Sequence, residues 1–94
     1  MEISISELRE MWESLFLHLE KKGISNVMLD IDYYWNVSPE QRYNPYEEPK
    51  EMDLGQLSED LKNLREMIEQ DRIIGYSLVW LSTLTRAVGE KVIG

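Results

Sequence analysis

Apolar residues recur at helical spacing through the first quarter of the chain. At 100° per residue they share one face, and they are Leu8, Met11, Trp12, Leu15, Phe16 and Leu19. Ser4 and Glu7 have the spacing of a capping box, with Ser6 as an alternative N-cap. Gly23 suits the position just after a helix end. The pattern predicts an amphipathic helix over residues 6–22.

The apolar pattern then changes to alternation from Val27 to Trp35. One side of an extended chain would hold Val27, Leu29, Ile31, Tyr33 and Trp35. This period of two predicts a β-strand. A lone strand leaves its backbone groups unpaired, so it requires a partner. The candidates are a terminus near Ile3 or Val92, a segment of the following loop, residues near Ile74, or the same strand of a second copy.

Residues 36–52 are polar and contain all three prolines, which fix the backbone and disfavour helix. The segment predicts a long loop, and loops of this length in compact domains are usually functional or disordered. Tyr43 and Tyr46 lie within it. Their large rings predict that the loop packs against the body of the protein.

A second helical pattern covers residues 53–71. Asp53 and Gln56 again have capping-box spacing. The apolar stripe of this predicted helix consists of Leu54, Leu57, Leu61, Leu64 and Ile68.

The last apolar segment covers a wide arc from Tyr76 to Val88 and predicts a helix ended by Gly89. The alternative is a strand over residues 73–81. Such a strand would form a βαβ unit with the first strand and the preceding helix.

Taken together, these elements predict one globular domain over residues 1–94, because a chain of this length has no room for a second. The predicted fold is mainly α, with α+β left open. Three amphipathic helices pack together, joined by one short strand and a long loop bearing aromatics and prolines. The alternative is an α/β fold with a βαβ unit.

The net charge of −8 restricts the partners of the chain. Nucleic acid and anionic membranes would be repelled, since no cluster of basic residues is present. A basic protein would be attracted. There are no cysteines, and the longest uncharged run, residues 73–85, is shorter than the roughly 20 residues of a membrane-spanning helix. The first twenty residues carry charges throughout, a pattern unlike that of a signal peptide, so we expect a cytoplasmic protein.

No pattern in the chain is typical of a catalytic or cofactor site. Asp30 and Asp32 would lie on the same side of the predicted strand, where two carboxylates either share a divalent cation or simply face solvent. The solvent-facing interpretation is favoured, because neither a calcium loop nor a phosphate-binding glycine motif accompanies them. His18 is the only histidine. We therefore expect no enzymatic activity, no cofactor and no metal.

Aromatic residues concentrate in one stretch of fourteen residues, residues 33–46. They are Tyr33, Tyr34, Trp35, Tyr43 and Tyr46, and Glu47 and Glu48 follow them. Tyr and Trp dominate the energetically important positions of protein interfaces. The alternative is that alternate rings fill the core.

Three functions are compatible with these patterns. The first is a small acidic protein-binding module without enzymatic activity that masks a basic partner, with the aromatic and glutamate residues as its interface. The second is a structural homo-oligomer, such as a dimer. The third, a divalent-metal enzyme using Asp30 and Asp32, has the least support.

Overall fold

A computed structural model describes all 94 residues and shows a mainly α protein with a small antiparallel sheet. In chain order the elements are α1 (Ile5–Lys21), β1 (Tyr33–Val37), α2 (Pro39–Arg42), β2 (Met52–Gln56), α3 (Leu57–Met67), a 3-10 turn (Asp71–Ile73) and α4 (Ile74–Ile93). The mainly α prediction is confirmed at this level. There are four helices rather than three, because the long loop contains the short α2.

Helix α1 follows its sequence signals closely. The Ser4 side chain accepts a hydrogen bond from the Glu7 amide, so Ser4 is the N-cap and Ser6 lies inside the helix. At the other end, Gly23 has a φ of 82°. The Gly23 and Ile24 amides donate to the carbonyls of Glu20 and Leu19. These two hydrogen bonds form the Schellman motif, in which glycine is favoured just after the end of a helix.

The strand prediction is correct in type and wrong in extent. The strand begins at Tyr33 instead of Val27, and residues 27–32 pair with no other strand. Its partner is β2, in an antiparallel register that places Tyr34 opposite Gly55 and Trp35 opposite Leu54. The alternative of a βαβ unit is wrong, because the segment that would supply its second strand lies in α4.

The prediction that residues 53–56 begin a helix is wrong, because they belong to β2 and α3 starts only at Leu57. The capping box of Asp53 and Gln56 does not form; Gln56 occupies the N-cap position, but its side chain accepts no hydrogen bond from the helix amides. Helix α3 also ends at Met67, before the predicted Asp71.

The loop between the strands is shaped by its own polar side chains. Pro39 opens α2, where its missing amide proton costs nothing. Arg42 Nη2 donates to Asn36 Oδ1 and to the Val37 carbonyl, both at 2.7 Å. Gln41 Oε1 accepts from the amides of residues 50 and 51. The predicted packing of the loop tyrosines is wrong, because Tyr43 is 79% and Tyr46 is 92% exposed.

The final segment is a helix, which is the interpretation that the sequence favours over a strand. It continues through Gly89 to Ile93, so the predicted stop at Gly89 is wrong. Glycine lowers helix propensity by only about 1 kcal/mol relative to alanine, and an ion pair between Arg86 and Glu90, 2.7 Å long, bridges the position. None of the helices combines the length and apolar composition that crossing a membrane requires.

The core lies between α3 and α4 and is thin. Leu57 and Ala87 are the only buried apolar residues, and α1 contributes none. The chain exposes 8408 Å², whereas a folded monomer of its mass exposes about 5,700 Å². The radius of gyration is 15.0 Å, against about 12 Å for a compact domain of this length. A single copy therefore leaves an unusually large surface uncovered.

Candidate functional site

The two strands form a hairpin whose faces have different characters. In an antiparallel pair, directly opposite residues project to the same side. Tyr34, Asn36, Asp53 and Gly55 therefore share one face, which we call the inner face. Tyr33, Trp35, Val37, Met52, Leu54 and Gln56 share the other, which we call the outer face.

The inner face is fixed to both core helices by one buried carboxylate. Asp60 of α3 is only 7% exposed. Its Oδ2 accepts hydrogen bonds from Tyr34 Oη and Thr83 Oγ1, each at 2.6 Å. Burial, reinforced by the hydrogen bond to Asp60, raises the pKa of the Tyr34 hydroxyl above its usual value. The contact joins β1, α3 and α4 and sets the orientation of the hairpin.

Gly55 makes the close approach of Tyr34 feasible. The Tyr34 ring lies directly above the Gly55 Cα, and a Cβ at this position would overlap the ring. The ring is held in place at its far end by Asp60. Glycine here therefore serves close packing across the strand pair.

The outer face is apolar, aromatic and open to solvent. Trp35 and Leu54 are opposite one another and are 66% and 65% exposed. Tyr33 and Met52 extend the patch along each strand and are also more than half exposed. No helix or loop covers these four side chains. Exposed apolar patches of this kind in proteins mark interaction sites.

The structure separates the aromatic residues that the sequence groups together. Tyr33 and Trp35 lie on the outer face, whereas Tyr34 lies on the inner face against Asp60. Tyr43 and Tyr46 project from the loop. Sequence reasoning missed Met52 and Leu54 as members of the patch, although their alternation with Asp53 and the glycine that follows were signals for a strand.

The glutamates of the loop surround a polar hollow of about 260 Å³. Glu47, Glu48 and Glu51 line it together with Gln41, Asn44 and Lys50. Its lining contains no apolar side chain. The loop therefore offers negative charge, while the outer face offers apolar area.

Asp30 and Asp32 precede β1 and do not lie on it as predicted, and each is engaged by protein groups. Asp30 Oδ2 is 2.7 Å from Lys91 Nζ, and this hydrogen bond and charge lower the pKa of the Asp30 carboxyl. Asp32 accepts from Gln56 Nε2 and from the amide and hydroxyl of Ser58, all within 2.9 Å. Asp32 thus caps α3 from a distant segment, in place of the predicted local box.

Acidification is expected to remove the stabilisation that Asp32 provides. The hydrogen bonds from Gln56 and then Ser58 hold the pKa of its carboxyl below the usual value, so the folded protein binds this proton less readily than the unfolded chain. The contribution is complete above the unfolded pKa of about 3.9 and disappears as pH falls through the lower folded value. Urea unfolding of wild type and Asp32→Asn across this range measures it. The stability gap should close at low pH, and a pH-independent gap would contradict the assignment.

Set against known proteins, the chain matches no family model, no curated protein and no solved structure. Its function therefore has to be argued from its own residues and their geometry.

Proposed function

We propose that this chain is a small acidic protein-binding module without enzymatic activity, and that the outer face of the hairpin is its binding surface. The proposal depends on one observation above all: Trp35 and Leu54 form an adjacent cross-strand pair, each about two-thirds exposed. Tryptophan in such a position is the residue type that contributes most at protein interfaces.

The hairpin is suited to present this surface in a fixed geometry. Its inner face is tied to α3 and α4 through Tyr34, Asp60 and Thr83. A patch held by hydrogen bonds to the core loses little conformational entropy on binding, which leaves more of the contact energy as affinity.

The charge around the hairpin favours a basic partner. Residues 30–53 contain seven carboxylates and only two basic side chains, Arg42 and Lys50. Negative charge beside an apolar patch accelerates encounter with a positively charged protein, and this acceleration weakens as salt increases. Masking a basic surface is the activity that this combination supports.

Truncating Trp35 is expected to abolish most of the affinity for a natural partner. Because interface tryptophans contribute about 2 kcal/mol or more, Trp35→Ala should weaken binding by roughly 30-fold or more. The partner would be recovered from native lysate, purified, and titrated by calorimetry. The association rate should fall as salt is raised.

Leu17→Ala is the matched control, since Leu17 is an exposed apolar residue on α1, outside the hairpin. Its affinity should equal that of wild type. Wild-type affinity in both Trp35→Ala and Leu54→Ala, with circular dichroism unchanged, would refute the outer face as the binding surface.

The second candidate, a structural homo-oligomer, is favoured by a separate observation. The chain exposes 8408 Å², about 2,700 Å² more than a compact monomer of its mass. A standard interface covers only about 800 Å² of each partner. The hairpin face by itself does not account for an excess of this size.

A further inference from the structure

Helix α1 carries an apolar stripe that a single copy of the chain does not cover. None of its residues is buried. Leu15 lies at the centre of the stripe and is 64% exposed, and Ile5, Leu8, Met11 and Phe16 are also exposed. Because an isolated helix of this length is marginal in water, most of its stability has to come from packing of this face.

The stripe lies beside the C-terminal turns of α4, and an open apolar groove separates the two helices. The groove has a volume of about 610 Å³. Trp12, Phe16 and Leu19 line it from α1, and Val88 and Val92 line it from α4. Two helices form its floor, so a further helix laid along it would complete a packed layer.

The charged residues at the edge of the stripe indicate which helix would pack against it. At 100° per residue, Glu7 and Lys22 both fall within about 40° of Met11, at the same edge of the stripe. Glu7 lies in the first turn of α1, and Lys22 directly follows its last residue. In an antiparallel pairing that sets Leu8 opposite Leu19 of a second copy, Glu7 of each copy approaches Lys22 of the other. A parallel pairing would leave Glu7 and Lys22 of the two copies at opposite ends of the pair, and antiparallel helices also place opposite dipole ends side by side.

The exposed area agrees with a large contact between identical chains. The surface excess of about 2,700 Å² per chain exceeds the roughly 800 Å² that a standard interface covers on each partner. It corresponds to the upper end of obligate dimers, which bury about 1,000–2,500 Å² on each chain. An apolar stripe with complementary charges at its two ends is self-complementary, as a twofold interface requires.

We propose that α1 packs antiparallel against α1 of a second copy, closing the groove beside α4 and forming a twofold dimer. This surface is separate from the outer face of the hairpin, so the two proposals stand or fall independently. The dimer would present two hairpins to partners.

The oligomeric state of the full chain tests the proposal directly. Light scattering coupled to size exclusion should give twice the 11.2 kDa chain mass at high micromolar concentration. Leu15→Arg places a charge where the proposed dimer would bury a leucine of each copy, so it should raise the dissociation constant by about 100-fold or more. Leu17→Arg is the control with the same chemical change, since Leu17 lies on the opposite side of α1 and is 50% exposed. It should dimerise like wild type.

Exchanging the charges of Glu7 and Lys22 tests whether the two α1 helices are antiparallel. Glu7→Lys and Lys22→Glu each place like charges at both contacts of an antiparallel homodimer, so each variant should dimerise about fivefold more weakly than wild type. Mixing the two variants restores opposite charges at both contacts, so the mixture should regain wild-type affinity. In a parallel pair, neither variant alone would be weaker than wild type.

Three results would overturn the proposal. The first is a monomer at high micromolar concentration. The second is a dimer that Leu15→Arg and Leu17→Arg affect equally. The third is unweakened dimerisation of the two charge variants. Circular dichroism of each variant establishes that it is folded. Loss of dimerisation in Leu15→Arg with intact binding of the hairpin partner would separate this surface from the proposed function.

Discussion

Tyr34→Ala is expected to lower the free energy of unfolding by about 2–3 kcal/mol, because the truncation leaves a void beside the core helices and removes one donor from a buried carboxylate. Tyr34 lies over Gly55 and donates to Asp60 Oδ2 at 2.6 Å. Without it, Asp60 keeps only Thr83 as a side-chain donor. Urea unfolding followed by circular dichroism measures the change.

Tyr33→Ala is the matched control, since it makes the same substitution one residue earlier, on the outer face. Its stability should change by less than about 0.5 kcal/mol, as is usual for exposed sites. Tyr34→Phe retains the ring and should lose about 1 kcal/mol, the contribution of the hydrogen bond. Equal effects at positions 33 and 34 would show that the hairpin is not anchored through its inner face.

Gly55→Ala is expected to destabilise the protein by about 2 kcal/mol or more, because the added methyl group overlaps the Tyr34 ring and overpacking is costly. The ring cannot move away without giving up its hydrogen bond to Asp60. Thermal unfolding of the variant should show a clear decrease in Tm.

Two further variants test this explanation of the Gly55→Ala effect. Gly75→Ala is the control, because a Cβ on Gly75 meets no atom within 4 Å and should be tolerated. The double variant Gly55→Ala with Tyr34→Ala should be less destabilised than the two single effects added together, since the clash needs the ring. Additive effects would mean that the ring and the glycine do not contact one another.

Both variants also bear on the proposed binding surface. They act on the inner face, whereas Trp35 and Leu54 lie on the outer face. Variants that weaken the contact between Tyr34 and Asp60 should also weaken partner binding, because the hairpin is then held less firmly in position. Lower temperature should restore part of the lost affinity. Trp35→Ala should weaken binding without lowering stability. These two patterns distinguish a residue that positions the surface from one that contacts the partner.

The sequence predicted the features that depend on near neighbours. Helix α1 was recognisable because its apolar stripe, its Ser4 cap and its Gly23 end all depend on residues within a turn or two of one another. The helical character of the last segment was recognisable for the same reason. The presence of a strand ending in the aromatic stretch followed from alternation alone.

The sequence misled where a distant partner decides between local alternatives. Residues 53–56 have both a capping-box spacing and an alternating pattern, and pairing with β1 selects the strand. Asp32 shows the same effect, because it caps α3 from more than twenty residues away. A scan for local caps has no means of finding such a contact.

By itself, then, the sequence determined the negative charge, the absence of cysteine, the first helix to within one residue at each end, and the concentration of aromatics around the strand. Only the tertiary structure decided which aromatics face inward. The reason is that strand register sends neighbouring side chains to opposite faces, and register is set by pairing between segments far apart in the chain. Tyr34 therefore faces inward and donates a hydrogen bond to Asp60, whereas Trp35 lies on the surface.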